Sequence, residues 1–247
     1  MERSATRGDP GWARRGASVA SVRGHLSFRT TAVAVIAYAG AMAYLEAAVV
    51  IYLQLALGLE VGAIFPLLPA SGAGNLVAIE AGRELATLVM IATVGLLVGR
   101  TRLERLAWST VVFGIWDIGY YAWLHVFSGW PPTPNTPDLL FLLPVPWAGP
   151  IWSPVAVSAA LVGVGLAAAS ALRSGRRLEV ARWHWAAGIG GGLLVVLSYT
   201  LDAGRLIDGG LPGPYPWPIF AIGMLLAIGA ALDMLRSARR VAPSSTA

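Results

Sequence analysis

The chain has 247 residues, 56% of them hydrophobic and only 13% charged, with a mean hydropathy of +0.66 and a formal net charge of +5. That balance belongs to a membrane protein and not to a soluble core. The absence of Cys excludes disulfide frameworks, Fe–S clusters and thiol catalysis, and basic residues that recur between apolar runs, without gathering on one face, argue against nucleic acid as a partner.

Residues 1–27 are Arg-rich, carry Gly, Ser and Ala between the charges and show no periodicity, so a disordered cytoplasmic tail is expected. The apolar run 28–57 is far longer than the ~7 to 15 residues of a signal-peptide core, and it reads as a first spanning helix, tilted or protruding. The Pro/Gly segment 62–75 is a turn, with Asn75 as N-cap of a second helix that ends near Gly99. Arg100, Arg102 and Arg105 form a basic loop before a third helix over 106–127. The Pro-rich segment 128–150 carries no Arg, and its apolar centre 139–143 is too short to span, which leaves an interfacial or a re-entrant piece. Asp138, just before it, reads as an N-cap for a short interfacial helix or as a group pointing down into the bundle. Helices over 151–172, 183–203 and 217–235 follow, and residues 236–247 read as a second cytoplasmic tail.

The expected fold is therefore an all-α membrane protein with six transmembrane helices over 28–235. All 18 basic residues are Arg, a usage that fits a GC-rich genome. Every one except Arg83 and Arg205 falls on one side of this topology. By the positive-inside rule both termini are cytoplasmic, and the expected location is the plasma membrane, a bacterial inner membrane. Trp108, Trp183 and Trp185 sit at inner ends, and Trp130, Trp147, Trp152 and Trp217 at outer ends, as aromatic belts require. Gly188 with Gly192, and Gly163 with Ala167, are small-xxx-small pairs suited to helix packing, and they leave oligomerisation open.

The chemistry lies in the outer half. There Glu46, Glu60, Glu80, Glu84, Asp117, Asp138, Asp202 and Asp208 face only Arg83 and Arg205. So many acids cannot all be neutralised internally, which calls for protonation, solvation in a cavity, or a bound cation. Glu80 and Glu84 share a helix face by i, i+4 spacing, and Arg83 is expected to pair with a carboxylate of another helix, Glu46 or Asp117. Asp117, Tyr121 and His125 form an i, i+4, i+8 stripe able to relay protons or hold a metal, and Ser198, Tyr199 and Asp202 repeat the theme on the fifth helix. The candidate ligand or coupling residues are thus Glu46, Glu80, Arg83, Glu84, Asp117, Tyr121, His125 and Asp202. Glu46, Glu84 and Asp117 are candidate ligands of a divalent cation.

No G-x-S-x-G, P-loop or intramembrane-protease GxGD motif is present. Three functions stay open beyond contact with the lipid bilayer. The first is binding or transport of a proton, a cation or a cationic solute. The second is a membrane enzyme acting on a lipid or lipid-linked substrate through metal or acid–base chemistry, and the third is a non-catalytic accessory subunit.

Overall fold

The computed structural model describes residues 27–59 and 70–240, and the expected N-terminal tail, the 60–69 turn with Glu60, and residues 241–247 lie outside them. The chain is mostly helical. In order it forms α1 (Phe28–Ala56), α2 (Ala70–Val98), α3 (Arg102–Ser128), β1 (Pro137–Phe141), β2 (Trp147–Pro150), α4 (Trp152–Arg173), β3 (Arg176–Arg177), α5 (Arg182–Thr200), α6 (Ala203–Ile207), α7 (Trp217–Arg236) and β4 (Arg239–Arg240). Local chemistry sets several ends. The Ser27 hydroxyl accepts the Thr30 amide at 3.1 Å to start α1, and Thr101 accepts that of Glu104 at 3.1 Å to start α3. Gly129, at φ 72°, closes α3 in the left-handed conformation that a glycine tolerates.

Five segments are long and apolar enough to cross a membrane: Phe28–Ala56, Leu76–Val98, Trp152–Arg173, Arg182–Ile207 and Trp217–Arg236. The exception among the long helices is α3, and its position explains its composition. It packs against α1, α2 and α4, so Glu104, Asp117 and Tyr121 are buried among protein neighbours and need not satisfy a lipid surface. Because lipid offers no hydrophobic drive between helices, close approach depends on small residues. Each side of α3 has them. Gly119 meets Ala43 of α1, Gly95 of α2 lies against Ser109, and Gly114 and Gly165 seat α3 against α4 so tightly that a Cβ on Gly114 would stand 2.5 Å from the Ser158 carbonyl.

The pair α5 and α7 is built the same way, but not on the expected glycines. Gly191 and Gly223 face each other's carbonyls at 2.5 and 2.6 Å from where a Cβ would be, whereas Gly188, Gly192 and Gly163 meet nothing within 4 Å. One residue is 100° of helix rotation, and in a run with three consecutive glycines, Gly190 to Gly192, spacing alone does not select the contacting one.

The ends of α1 to α4 meet in a buried knot. Arg173 donates from Nε to Glu104 at 2.6 Å, from Nη1 to Thr31 at 2.6 Å and from Nη2 to the Val98 carbonyl at 3.3 Å, with its guanidinium 5.5 Å above the Trp108 ring. Glu104 also accepts from the Arg100 amide and the Trp108 indole. At the same end His184, which accepts the Ala181 amide at Nδ1, presents Nε2 to Asp233 at 3.0 Å and so ties α5 to α7. Antiparallel pairing of Arg176–Arg177 with Arg239–Arg240 draws part of the expected C-terminal tail onto the α4–α5 connection.

Three boundaries differ from expectation. Helix α2 begins at Ala70, so Asn75 lies inside it and is not its N-cap. Helix α5 ends at Thr200, which places Asp202 in the turn before α6. The Pro-rich segment forms no short helix after Asp138 but an antiparallel hairpin, with Asp138 opposite Gly149 and Phe141 opposite Trp147. Prolines at 131, 132, 134, 137, 144, 146 and 150 remove the donors a helix needs, and leave two short runs that can pair.

Gly223→Leu should cost about 1–3 kcal/mol through overpacking and lower the thermal unfolding midpoint in detergent, whereas Gly229→Leu, at a position with open space, should leave it unchanged. Equal effects of the two would contradict the packing assignment.

Candidate functional site

The hairpin packs down on the end of the bundle opposite the Arg173 knot and closes a cavity of about 370 Å³. Into this space α1 brings Glu46, α2 brings Glu80, Arg83 and Glu84, α3 brings Asp117, Tyr120 and Tyr121, and β1 brings Asp138. The four elements converge because α3 is central and the strand lies across its C-terminal half.

Each carboxylate has at least one anchor, and Glu46 and Glu80 share theirs. Arg83 pairs with Glu46 across the α1–α2 boundary, and grips Glu80 through Nε at 2.8 Å and Nη2 at 2.7 Å. Thr87 donates to the other Glu46 oxygen at 3.5 Å, the outer limit of a hydrogen bond. Glu84 takes the Leu142 amide with both oxygens, at 2.8 and 3.0 Å, and so pins the hairpin tip to α2. Asp117 accepts the Ser158 hydroxyl of α4 at 2.8 Å. Tyr121 donates to Asp138 at 2.8 Å, with that carboxylate 1% exposed.

Among the described residues the cavity thus holds five carboxylates and one guanidinium. The walls between them are largely apolar or aromatic, with Leu53, Trp116, Tyr120 and Leu142 among them. Two further polar groups are orphaned there: Gln54 Oε1 and Trp116 Nε1 are buried without a hydrogen-bond partner, in side chains 8% and 6% exposed. Such groups are costly unless something else satisfies them. Burial, reinforced by the nearby Asp117 charge, pushes the Asp138 carboxyl up to about 7 against the opposing hydrogen bonds from Tyr121 and the Leu139 amide.

Glu46, Glu80, Arg83, Glu84, Asp117 and Tyr121 all line this cavity, and two of the sequence candidates do not. His125 is exposed near the end of α3, so the stripe stops at Tyr121. Asp202 accepts the Gly213 amide at 2.7 Å and faces Arg205 at 4.0 Å, which makes it a clasp for its own loop. Ser198 likewise bonds Tyr215 at 2.9 Å, beside a separate crevice. Of the candidate cation ligands, Glu46 pairs with Arg83, Glu84 takes the Leu142 amide and Asp117 takes the Ser158 hydroxyl, and among the described residues no group of three or more such side chains is placed to hold a metal ion. Asp138, Ser158 and Gln54 escaped selection as candidates. Only Asp138 left a trace, as a lone acid before an apolar run; Ser158 and Gln54 look like any small or polar residue of an apolar helix.

No known protein family matches the chain, and no curated protein or solved structure is significantly similar to it.

The Asp138 carboxyl holds its proton up to about pH 7 in the fold but only to its ordinary value of 3.8 when unfolded. The stability due to that proton is complete below about pH 4 and is lost as pH rises through 7. Asp138→Asn should remove this component, so the wild-type thermal midpoint should fall relative to the variant's as pH rises from 4 to 8. Parallel pH profiles for the two proteins would contradict it.

Proposed function

We propose that the chain is a multi-pass membrane protein in which α3 supplies a sixth span, both termini face the cytoplasm, and the outer cavity binds an organic cation. The observation that carries the reading is the imbalance of four carboxylates, Glu46, Glu80, Glu84 and Asp117, besides the pH-sensitive Asp138, against Arg83 in a largely apolar cavity. Charges taken out of water need compensation, and a bound cation supplies what the side chains do not. The aromatic walls and the dispersal of the acids over four elements suit a cation with a carbon skeleton better than a bare metal ion, because indole and phenol faces attract ammonium groups. The protonated Asp138–Tyr121 pair gives the site a group whose charge depends on pH near neutrality, so that cation binding and proton release are coupled. For the lipid-enzyme alternative, no converging metal-ligand set supports the metal version among the described residues. An accessory role gives no reason for an acid surplus that costs stability.

Orientation rests on the Arg distribution: the ends that carry the Arg173 knot and the paired Arg strands form the basic side, and the hairpin lies on the other. The span of α3 follows from its enclosure by α1, α2 and α4.

The chain has no Cys, so single-cysteine variants report side directly. An impermeant maleimide should label Asn135→Cys from outside intact cells, and Arg102→Cys and Ser174→Cys only after permeabilisation. Labelling of Arg102→Cys and Asn135→Cys from the same side would remove α3 as a span.

Butylammonium should raise the thermal midpoint of the purified protein in detergent, and butanol should not. In Glu84→Gln and Asp117→Asn the apparent affinity should fall by about tenfold or more, the scale of losing one partner of a buried charge contact. Equal stabilisation by butanol, or unchanged affinity in both variants, would contradict a cation site.

A further inference from the structure

A second cavity of about 360 Å³ lies between α4, α5 and α7, and its lining includes three residues of the first, Asp117, Leu140 and Phe141. Asp117 is the one charged residue on its wall. Phe141, which lines both spaces, stacks on Phe113 at 6.4 Å and 15° and meets Trp147 edge-on at 5.4 Å and 61°. An acidic pocket therefore adjoins an apolar crevice, with a carboxylate at the junction.

The crevice is open by construction. Gly188 and Gly192 of α5 both line it, and a Cβ on either would meet nothing within 4 Å, whereas Gly191, one position away, is pressed against α7. The face of α5 turned to the crevice thus leaves space that the face turned to α7 does not. The indole Nε1 of Trp147 is buried there without a hydrogen-bond partner.

We propose that the ligand is a single-chain amphiphilic cation, with its ammonium group among the carboxylates and its hydrocarbon chain in the α4–α5–α7 crevice, threaded past Phe141. The inference rests on the cation site proposed above and adds the tail. Charge complementarity selects the head, and the apolar crevice that shares Asp117, Leu140 and Phe141 with the cavity selects the chain. A neutral or anionic bilayer lipid satisfies only the second.

The test is a chain-length series of n-alkylammonium salts, butyl to octyl, titrated below their micellar concentrations against the full-length protein in detergent. Burial of each added methylene should tighten binding by about two- to fourfold. Partition into detergent also favours longer chains, so the readout is the ratio of octylammonium to butylammonium affinity. In Gly188→Leu and Gly192→Leu, where the new side chain fills the crevice, that ratio should fall by about tenfold or more, with butylammonium affinity retained. Unchanged ratios with butylammonium still bound would overturn the crevice and leave the cation site standing. No butylammonium binding to the wild-type protein would overturn both. Should the two variants lose butylammonium binding through misfolding, a diazirine at the end of the octyl chain decides on the wild-type protein: crosslinks to α4, α5 or α7 support the proposal, and crosslinks confined to α1 and α2 overturn it.

Discussion

The fold depends on a balanced ion pair. Glu104 and Arg173 meet at 2.6 Å with side chains 2% and 8% exposed, and Thr31, Val98, Arg100 and Trp108 occupy their remaining hydrogen-bonding positions. A buried pair is tolerable only when both charges and their residual donors and acceptors are satisfied, and here one guanidinium links the ends of four helices while meeting that condition. Arg83, at the other end of the bundle, pairs with Glu46 and Glu80 and has Glu84, Asp117 and Asp138 around the same cavity. The two arginines do opposite things with similar chemistry: one closes a charge balance, and the other sits inside a deficit. Structural pairing explains the first arrangement completely and the second only in part, and the remainder points to a ligand.

The location of the deficit follows from packing. Glycine contacts on three sides of α3 bring α1, α2 and α4 close enough for their side chains to reach a common space. The Pro-rich hairpin then forms part of the wall of that space, because Glu84 captures the Leu142 amide and Tyr121 captures Asp138. The same hairpin supplies Phe141 and Trp147 to the neighbouring crevice. One loop thus shapes both compartments, and its position is held by carboxylates that also belong to the site.

Much of this was legible in the sequence where a charge stood inside an apolar run. Glu46, Glu80, Arg83, Glu84, Asp117 and Tyr121 were conspicuous for that reason, and they line one cavity. Helix order was equally plain from hydropathy, and α3, which the sequence offered as a third span, is the long helix not apolar enough to rank with the other five, a property that its enclosure explains. Non-local facts were not legible. Asp138 could not be joined to Tyr121 without knowing that residues 137–150 form a hairpin, and nothing local distinguishes Gly191 from Gly188 and Gly192 on a helix with glycines on several faces. His125 and Asp202 illustrate a different failure. Near a helix end one turn decides between the bundle interior and the surface, and a reading uncertain by a turn cannot choose.

The central claim is that the acid surplus around Arg83 serves a ligand and costs the empty protein stability. The most direct measurement is the thermal midpoint of ligand-free Glu84→Gln against wild type at pH 7. Glutamine keeps an oxygen for the Leu142 amide and removes one negative charge beside Glu80, so the account predicts a higher midpoint for the variant. A lower midpoint would mean that Glu84 is a structural charge already balanced within the protein, and would contradict the account.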